Sequence, residues 1–455
     1  MNYVRSFDLF DTLLGRYHYR PESVFNLVQN NFPFPGFTFF RMAAAFQSDQ
    51  TLSDIYLHFQ DLTGISDEER AALEQFELET ELSHVFPILE NLQLVRDGDL
   101  IVSDTYYNTE QVRAILERLG LKCKVEIYAT PRGKSSGKIW PRLKSEHAIE
   151  SHLGDSLHAD VASAQAAGIN GVHFKESALS LEEMRVGEMG HECLAYLMRA
   201  VRLSNPYHKG CVEWQLWNEQ AKFNIPLLVQ ASLYLDEFCK AHGKKRVLFT
   251  ARDGCLWIQV FRKLFPHYDS IYFHASRYLY MFPNPSYIDY VKDLYTDDAL
   301  IVDVYGSGQT ITHFFKEHFN CLPHCLMIVY PGSSFPCIVR MKANWDQVSG
   351  IETMNYDRCG ALYDFQNGVA IRAEPEYEVK WVLPMHACMQ RCVELLSFFR
   401  MGAFDQQVID WAVDSIMNLD LVIKKQLSFA KHHCHLREGS SWRHLHLMDH
   451  MLWEP

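Results

Sequence analysis

The first half of the chain opens with a short apolar run and then changes to a helical pattern. Residues 3–7 have the composition of a strand, and Asp8 follows them directly. From Pro21 to about Val95, apolar residues recur three and four positions apart in three long segments, which predicts amphipathic helices. Acidic residues at 67–69 open one of them, where the helix dipole favours negative charge. We therefore expect a strand followed by an inserted group of helices.

Strand and helix patterns alternate in the rest of this half. The segments DLIVS, KVEIYA and SHLGD are predicted to be strands. Helical patterns near 109–119 and 138–149 separate them. Such alternation predicts βαβ units, and therefore an α/β domain with a parallel sheet that has helices on both faces.

A second alternating region follows residues 198–210, which lack periodicity and contain an Asn-Pro turn signal. Strand patterns occur at KRVLFT, SIYFHAS, ALIVDVY and CLMIVY, and helical patterns follow the first and third of them. We predict a first domain over 1–195, with the helical insert at about 16–95, and a second α/β domain over 205–334. Residues 335–455 are mixed and partly helical, and we expect them to pack on the second domain.

The amino-acid composition and net charge argue against several classes of protein. The 455 residues are 48% hydrophobic, enough for two sizeable cores, and carry a net charge of −13, which argues against broad binding of nucleic acid or anionic membranes. No apolar run reaches the roughly 18–20 residues that a membrane span needs, and the first strand follows no signal-peptide pattern. These features predict a cytoplasmic protein whose 12 cysteines are mostly reduced thiols.

The positions of several cysteines and histidines are compatible with a zinc site. Two cysteine pairs have a spacing of four, which on a helix would place the members of a pair on one face, and each pair has a histidine nearby. Buried thiols and coincidental histidines explain the same pattern, and surface histidines explain the histidine-rich tail at 431–450. The residues concerned are Cys321 and Cys325 with His324, and Cys388 and Cys392 with His386.

Three carboxylates are predicted to meet at one edge of the first sheet. Asp8 follows the first strand, and Asp155 and Asp160 follow the strand at SHLGD. If these strands are neighbours, the three side chains converge at the carboxyl edge, where open α/β sheets bind ligands. Carboxylate oxygens suit Mg²⁺, which is held by one or two carboxylates, waters and a substrate phosphate.

Four segments, in this order, resemble the motifs of the haloacid dehalogenase (HAD) superfamily. FDLFDTLL at 7–14 resembles motif I, and DLIVSDT resembles the motif II strand that ends in Ser103. Lys134 resembles the motif III lysine, with Lys138 as the alternative, and HLGDSLHAD resembles motif IV. The resemblance implies a HAD-like Rossmannoid sheet, and the helical insert would be a cap that excludes water and selects substrates.

The resemblance also implies roles for these residues. Asp8 would attack phosphorus and form an aspartyl-phosphate, while Ser103 and Lys134 would donate hydrogen bonds to the phosphoryl oxygens. The implied reaction is hydrolysis of a small phosphorylated metabolite, a sugar phosphate or nucleotide-type compound. Ser103 and Asp160 also have structural interpretations. Ser103 would cap the end of a strand, and Asp160 would cap the helix that follows it. The implied Mg²⁺ ligands are Asp8, the backbone carbonyl of Phe10, Asp155 and Asp160.

One position departs from the pattern of the superfamily's phosphatases. Their motif I reads DxDxT, in which the second aspartate protonates the leaving oxygen, but this chain has Phe10 there. General-acid catalysis contributes about 10²–10⁴ in rate. Members without this acid include dehalogenases, which need no metal, yet the two motif IV aspartates favour a metal-dependent reaction. Asp11, Arg16 and His18 are the candidates to assist proton transfer.

The segment from Ala299 to Thr310 resembles the phosphoribosyl pyrophosphate (PRPP) loop of type I phosphoribosyltransferases. Asp303 aligns with the second acid of that motif, while Val302 stands in place of the first. A glycine-rich turn into a helix offers amides that bind phosphate, so a nucleotide or PRPP-like ligand is implied. A ligand-free turn is the alternative. The second-site candidates are Asp303, Gly306, Ser307, Gly308, Gln309 and Thr310, with Arg252 and Asp253.

The chain up to about residue 330 is also similar to a bacterial family of predicted HAD hydrolases. The shared features are SFDxFDTLLxR, SDxY, KSSGxL and RDG, which correspond here to Arg16, 103–106, 134–139 and 252–254. A weakened HAD protein that binds a nucleotide or regulates a partner is the alternative to a hydrolase, because each site lacks one expected acid. A bifunctional enzyme is a third possibility.

Overall fold

The chain divides into two compact units. The computed structural model describes residues 3–18, 20–32, 34–45, 50–341, 350–375 and 378–426. The first unit comprises Met1–Gly187 and Ala195–Pro206, and the second comprises Glu188–Leu194 and Tyr207–Pro455. The described part of 335–455 therefore belongs to the second unit.

The first unit is built on a five-stranded parallel sheet with the order β5-β4-β1-β6-β7. Its central strand pairs in parallel with β4 on one side and with β6 on the other. The predicted α/β class with a parallel sheet is confirmed. The strand β6 begins at Ala148, where a helix was expected to continue to residue 149. The strands are β1 Tyr3–Phe7, β4 Leu100–Asp104, β5 Glu126–Thr130, β6 Ala148–Gly154 and β7 Asn170–His173.

A helical insert follows β1, between the short antiparallel strands β2 (Leu14–Arg16) and β3 (Val85–Pro87). Two of its helices begin with reciprocal capping boxes, at Thr51 and at Ser66, which satisfy the first amides of each helix. The insert shares one hydrophobic core with the Asp8 turn and the β4 side of the sheet. Its helices are α1 Ser23–Asn31, α2 Phe37–Ala44, α3 Leu52–Thr63 and α4 Asp67–Ser83.

Helices connect the remaining strands of this unit and lead out of it. Trp140 and Leu143 on α7 are buried against Leu100 and Val102 of β4, which fixes the helix on the sheet. Asp160 lies in a π-helical turn at Leu157–Ala162. The helices are α5 Leu89–Leu92, α6 Thr109–Arg118, α7 Ile139–Glu146, α8 Ser163–Ala166, α9 Leu181–Glu188 and α10 Glu192–Leu203, with a 3₁₀ turn at Lys175–Ser177.

The second unit has its own five-stranded parallel sheet, in the order β12-β11-β10-β8-β9. The chain order reverses between β8 and β10, so this pair forms the switch point at which open α/β sheets bind ligands. A two-stranded hairpin accompanies the sheet. The strands are β8 Arg246–Thr250, β9 Asp269–Phe273, β10 Ala299–Tyr305, β11 Cys325–Tyr330, β12 Cys337–Arg340, β13 Leu362–Gln366 and β14 Val369–Arg372.

The helices of the second unit contain long buried stretches. Leu227, Leu228 and Ala231 on α12 and Trp257 and Phe261 on α13 are fully buried. The helices are α11 Val212–Glu219, α12 Ile225–Ala241, α13 Gly254–Leu264, α14 Arg277–Met281, α15 Pro285–Leu294, α16 Gln309–Phe319, α17 Leu383–Leu395 and α18 Gln406–Asn418, with a π-helical segment Gln220–Asn224 and 3₁₀ turns Val379–Trp381 and Leu396–Phe398.

The two cysteine pairs lie in different kinds of secondary structure. Cys325 begins the strand β11, as the pattern CLMIVY predicts, so Cys321 and Cys325 do not lie on one helix. Cys388 and Cys392 do lie on α17, where both are buried. The histidine-rich tail at 431–450 lies outside the described residues.

Among the residues that the structure describes, none of the helices combines the length and the apolar character that a membrane crossing requires.

Candidate functional site

The predicted catalytic residues lie at the carboxyl ends of three neighbouring strands. Asp8 follows β1, Asp155 follows β6, and Ser103 lies next to the end of β4. Because β1 lies between β4 and β6, these ends share one edge of the sheet. The backbone N–H of Asp8 donates to the carbonyl of Leu153 at 2.8 Å, which ties the two acid-bearing loops together.

Asp8, Asp155 and Asp160 form one carboxylate cluster, with an oxygen of each within 4.8 Å of the others. Asp8 and Asp160 are buried, and Asp155 is half-buried. Gly154 permits this geometry, because a Cβ atom there would lie 2.1 Å from the carboxyl carbon of Asp160. The glycine before Asp155 is therefore a steric requirement of the cluster.

Lys134 is the cation in contact with this cluster. Its Nζ forms ion pairs with Asp8 Oδ1 and, at 2.5 Å, with Asp160 Oδ1. Lys138, the alternative from the sequence, is exposed before α7. The structure therefore places Lys134, and not Lys138, among the carboxylates.

Two further polar residues support the site and were not predicted. Asp104 accepts hydrogen bonds from the backbone N–H groups of Lys134 and Ser135, each at 2.8 Å, and so holds the loop that carries the lysine. The buried His152 contacts Asp160 Oδ1 through Nε2 at 3.0 Å and Ser6 Oγ through Nδ1 at 2.9 Å. Asp104 adjoins Ser103 in the sequence, but nothing in the sequence distinguishes His152 from an ordinary strand residue.

The electrostatics of the cluster favour a cation. Burial raises the pKa of Asp8 to about 6, although the charge of Lys134 opposes this effect. Burial, with the negative charges of Asp8 and Asp11, raises the pKa of Asp155 to about 7. Burial acts on Asp160 in the same direction, but the hydrogen bond from His152 and the charge of Lys134 outweigh it and lower the pKa to about 2. One lysine therefore does not neutralise the three acids.

The oxygen set suits a hard divalent ion. Mg²⁺ prefers carboxylate oxygens and retains several waters, and the half-buried Asp155 leaves one side open to solvent. A divalent ion would also relieve the repulsion that raises the pKa values of Asp8 and Asp155. The residues present fit Mg²⁺.

Two of the three predicted helpers in proton transfer, Arg16 and Asp11, make contacts with other residues. Arg16 is buried and pairs with Glu81 at 2.8 Å, and its guanidinium lies 4.0 Å from the centre of the Phe10 ring. Asp11 accepts a hydrogen bond from Arg199 Nη2 at 2.6 Å. The side chain at the position of the usual general acid is thus packed against an arginine.

A cavity of about 470 Å³ lies against the loop that precedes α7. Arg132, Lys138 and His158 contribute to its lining, so its wall carries positive charge beside the loop of Lys134. This gives Lys138 a place at a cavity that suits an anionic group.

The second unit has a larger cavity, of about 570 Å³, at the β8–β10 switch point. Its wall includes Asp303 and the whole turn from Gly306 to Thr310, at the N-terminus of α16. Gly308 has a φ of 66°, and a Cβ atom there would lie 2.4 Å from the Phe335 ring. The turn that is predicted to bind phosphate therefore forms part of the wall of this cavity.

Asp303 is held rigidly at this cavity. Its Oδ1 accepts from Thr250 Oγ1 and from the N–H of Val304, each at 2.8 Å, and burial raises its pKa to about 7. Val302 is fully buried in β10. Arg252 and Asp253 are outside the set that lines the cavity; the Arg252 guanidinium lies 5.8 Å from the centre of the Tyr356 ring instead.

No protein-family model and no curated protein matches the chain.

Proposed function

We propose that the chain is a Mg²⁺-dependent phosphohydrolase of the HAD type that acts on a small phosphorylated metabolite. The observation that carries the proposal is the cluster of Asp8, Asp155 and Asp160 around Lys134 at the carboxyl edge of one parallel sheet. The insert α1–α4 would be its cap, and the second unit would be phosphoribosyltransferase-like. The cytoplasmic location predicted from the sequence is retained as part of this proposal.

Asp8 is the proposed nucleophile. Its carboxylate oxygen attacks phosphorus, the bond to the leaving oxygen breaks, and an aspartyl-phosphate forms on Asp8. Water then attacks that phosphorus, which releases phosphate and restores the carboxylate. Thr12 Oγ1 donates to Asp8 Oδ2 at 3.3 Å and Lys134 pairs with Oδ1, so both oxygens of the nucleophile are oriented.

The metal would be held by Asp8, Asp155 and the carbonyl of Phe10, with Asp160 next to it. Bound there, Mg²⁺ would supply charge neutralisation at the phosphoryl oxygens and fix the direction of attack. Ser103 and Lys134 would donate to the same oxygens, and Asp104 would hold the lysine loop in place.

Phe10, at the position of the usual general acid, limits the leaving groups that the proposed reaction can release. Because this position cannot donate a proton and Asp11 is paired with Arg199, the leaving oxygen must depart without a carboxylic acid from motif I. Esters of acidic alcohols, and phosphoanhydrides, have leaving groups that tolerate this. We propose that the preferred substrates come from these classes.

A panel of phosphorylated metabolites tests the proposal. Wild type and Asp8→Asn are compared for phosphate release with Mg²⁺ and with EDTA. The proposal requires release that depends on Mg²⁺ and disappears in Asp8→Asn. Release that persists in Asp8→Asn at the wild-type rate overturns it.

The cavity of the second unit favours a second candidate function. A nucleotide or PRPP-like ligand would place a phosphate on the Gly306–Thr310 turn and a ribose hydroxyl near Asp303. A HAD site without turnover would then make the chain a binding or regulatory module. Calorimetric titration with nucleotides and PRPP tests this function. Heat of binding that is lost in Asp303→Ala supports it, and the absence of any heat removes it.

A further inference from the structure

A second group of possible metal ligands lies in the second unit, away from the carboxylate cluster. Cys255 Sγ, a carboxylate oxygen of Asp357 and a ring nitrogen of His386 all lie within 4.8 Å of one another. The side chains of Cys255 and His386 are buried, and Asp357 is half-buried. Neither the phosphohydrolase proposal nor the cavity at β10 uses these residues.

Three separate parts of the fold bring the ligands together. Cys255 is the second residue of α13, and His386 lies in the first turn of α17, which packs against α13. Asp357 lies in the segment before β13. Because the two helices hold Cys255 and His386 on rigid elements, their separation is fixed: Sγ and Nε2 lie 4.0 Å apart.

Cys359 adds a fourth donor atom. Its Sγ donates to Asp357 Oδ2 at 3.1 Å, and the hydroxyl of Tyr272 on β9 donates to the same oxygen. A hydrogen bond to a ligating carboxylate orients it and is typical of the groups that surround metal sites. Two thiols, one imidazole and one carboxylate would complete a tetrahedral set.

We propose that Cys255, Asp357, Cys359 and His386 bind a divalent ion of the zinc class. Thiolate and imidazole ligands select borderline-soft ions and disfavour Mg²⁺ and Ca²⁺, which distinguishes this site from the carboxylate cluster. In a tetrahedral zinc site the ligand atoms lie roughly 3.3–3.8 Å apart, since the bonds are about 2.0–2.3 Å long. The ligand atoms of Cys255, Asp357 and His386, which lie within 4.8 Å of one another, therefore need to approach by about one ångström. Cys359 Sγ is outside that group and would join the set by a rotation of its side chain from its position 3.1 Å from Asp357 Oδ2.

Binding exchanges existing hydrogen bonds for metal bonds, including the one from Cys359 Sγ to Asp357 Oδ2. Cys255 Sγ donates to the carbonyl of Asn355 at 3.4 Å, and His386 Nε2 lies 2.8 Å from the carbonyl of Tyr356. Each thiol releases its proton to solvent when the thiolate binds. His386 Nε2 carries a proton in its contact with the Tyr356 carbonyl, and this proton must leave, so that the neutral imidazole is protonated on Nδ1 and the Nε2 lone pair faces the ion. The ion would link α13, the segment before β13 and α17.

Cobalt substitution tests the site in the full-length chain. The EDTA-treated protein is titrated with Co²⁺ in excess Mg²⁺, which occupies the carboxylate cluster. Thiolate-to-cobalt absorption in the near ultraviolet reports a cysteine ligand directly. We expect one thiolate-bound Co²⁺ per chain, displaced by Zn²⁺; a wild-type protein without this absorption overturns the proposal.

Variants then assign the absorption to these residues. Cys255→Ala and His386→Gln are expected to abolish it, and Asp357→Asn, at a half-buried position, to weaken Co²⁺ binding at least tenfold. Cys392→Ala on α17 and Cys434→Ser in the histidine-rich tail are the matched controls and should keep it. Absorption that survives in Cys255→Ala, or that is lost in either control, contradicts the assignment.

The stability of the wild type provides a readout that needs no variant. Since the ion would join three distant parts of the second unit, Zn²⁺ should raise the melting temperature of the EDTA-treated chain, with Mg²⁺ present throughout. An unchanged melting temperature at saturating Zn²⁺ overturns the proposal. This outcome is independent of phosphate release, which concerns the other unit.

Discussion

Asp11 and Arg199 form an ion pair across 188 residues of sequence, with 2.6 Å between Oδ1 and Nη2. Arg199 is almost fully buried, and its Nε also donates to the carbonyl of Ser177 at 2.6 Å. Asp11 has a φ of 53°, a left-handed conformation that aspartate tolerates better than most residues. The nearest acid to the usual position of the general acid is therefore committed to an arginine.

Asp11→Asn is expected to affect stability more than chemistry. The variant removes the negative charge of Asp11 from its ion pair with the buried Arg199 guanidinium, which should lower the free energy of unfolding by about 1–3 kcal/mol. Phosphate release from p-nitrophenyl phosphate, measured on the folded variant, should stay within about threefold of wild type, since Asp11 delivers no proton. A loss of tenfold or more that grows as the leaving group becomes poorer would identify Asp11 as the acid.

Lys134 and Lys138 are expected to differ in the kinetic parameter that they control. Lys134 pairs with Asp8 and would donate to the phosphoryl oxygens, so Lys134→Ala should lower kcat by roughly 10²–10³ at saturating Mg²⁺. Lys138 lines the neighbouring cavity, so Lys138→Ala should raise KM and leave kcat nearly unchanged. Steady-state kinetics on the best substrate of the panel decide this, and equal effects of the two variants on kcat would contradict the assignment of Lys134.

Gly154→Ala should damage the metal site although it replaces none of the charged residues. The added Cβ atom would lie 2.1 Å from the carboxyl carbon of Asp160, so the acid has to move. The expected result is a Mg²⁺ affinity at least tenfold weaker by calorimetry. Gly187→Ala is the matched control, because its Cβ atom would lie 3.9 Å from the Ala195 Cβ, an ordinary contact. Equal Mg²⁺ affinity in both variants would show that Asp160 does not contribute to the site.

The stabilising effect of Mg²⁺ is expected to grow with pH. In the metal-free protein the pKa values of Asp8 and Asp155 are raised from 3.8 to about 6 and about 7. Their contribution to stability is therefore complete below pH 3.8 and is lost as the pH rises through 6 and 7. The pKa of Asp160 is lowered from 3.8 to about 2, so its contribution to stability has the opposite pH dependence. That contribution is complete above pH 3.8 and is lost as the pH falls through 2.

Since Mg²⁺ binds the ionised carboxylates, it should raise the melting temperature more at pH 8 than at pH 5.5. Asp155→Asn should reduce this difference and should stabilise the metal-free protein at pH 8. Thermal unfolding with and without Mg²⁺ at the two pH values checks both statements. The same shift at both pH values would show that proton and metal do not compete for the cluster.

The sequence was sufficient for the α/β class and for the convergence of Asp8 with Asp155, because the ends of neighbouring parallel strands must share an edge. It favoured Lys134 over Lys138 only through the resemblance to motif III, because both lysines occur in the same short segment, and the burial of Lys134 in the structure separates them. His152 was missed because its role depends on the register between β1 and β6, which local patterns do not set.

The sequence also could not predict contacts between residues in distant segments. Cys255, Asp357 and His386 are separated by about a hundred and by about thirty residues, so no motif spacing indicates them. A spacing of four, as between Cys321 and Cys325, places two residues on one face only in a helix, and Cys325 begins a strand, as its apolar pattern predicts. Spacing is informative only once the type of element is known.

The most direct test of the proposed phosphohydrolase is phosphate release from p-nitrophenyl phosphate and a metabolite panel, with wild type beside Asp8→Asn. The proposed chemistry predicts release that requires Mg²⁺, favours good leaving groups, and falls to background in Asp8→Asn. Folded wild-type protein that binds Mg²⁺ but releases no phosphate from any substrate would contradict it. That result would favour ligand binding at the Gly306–Thr310 turn instead.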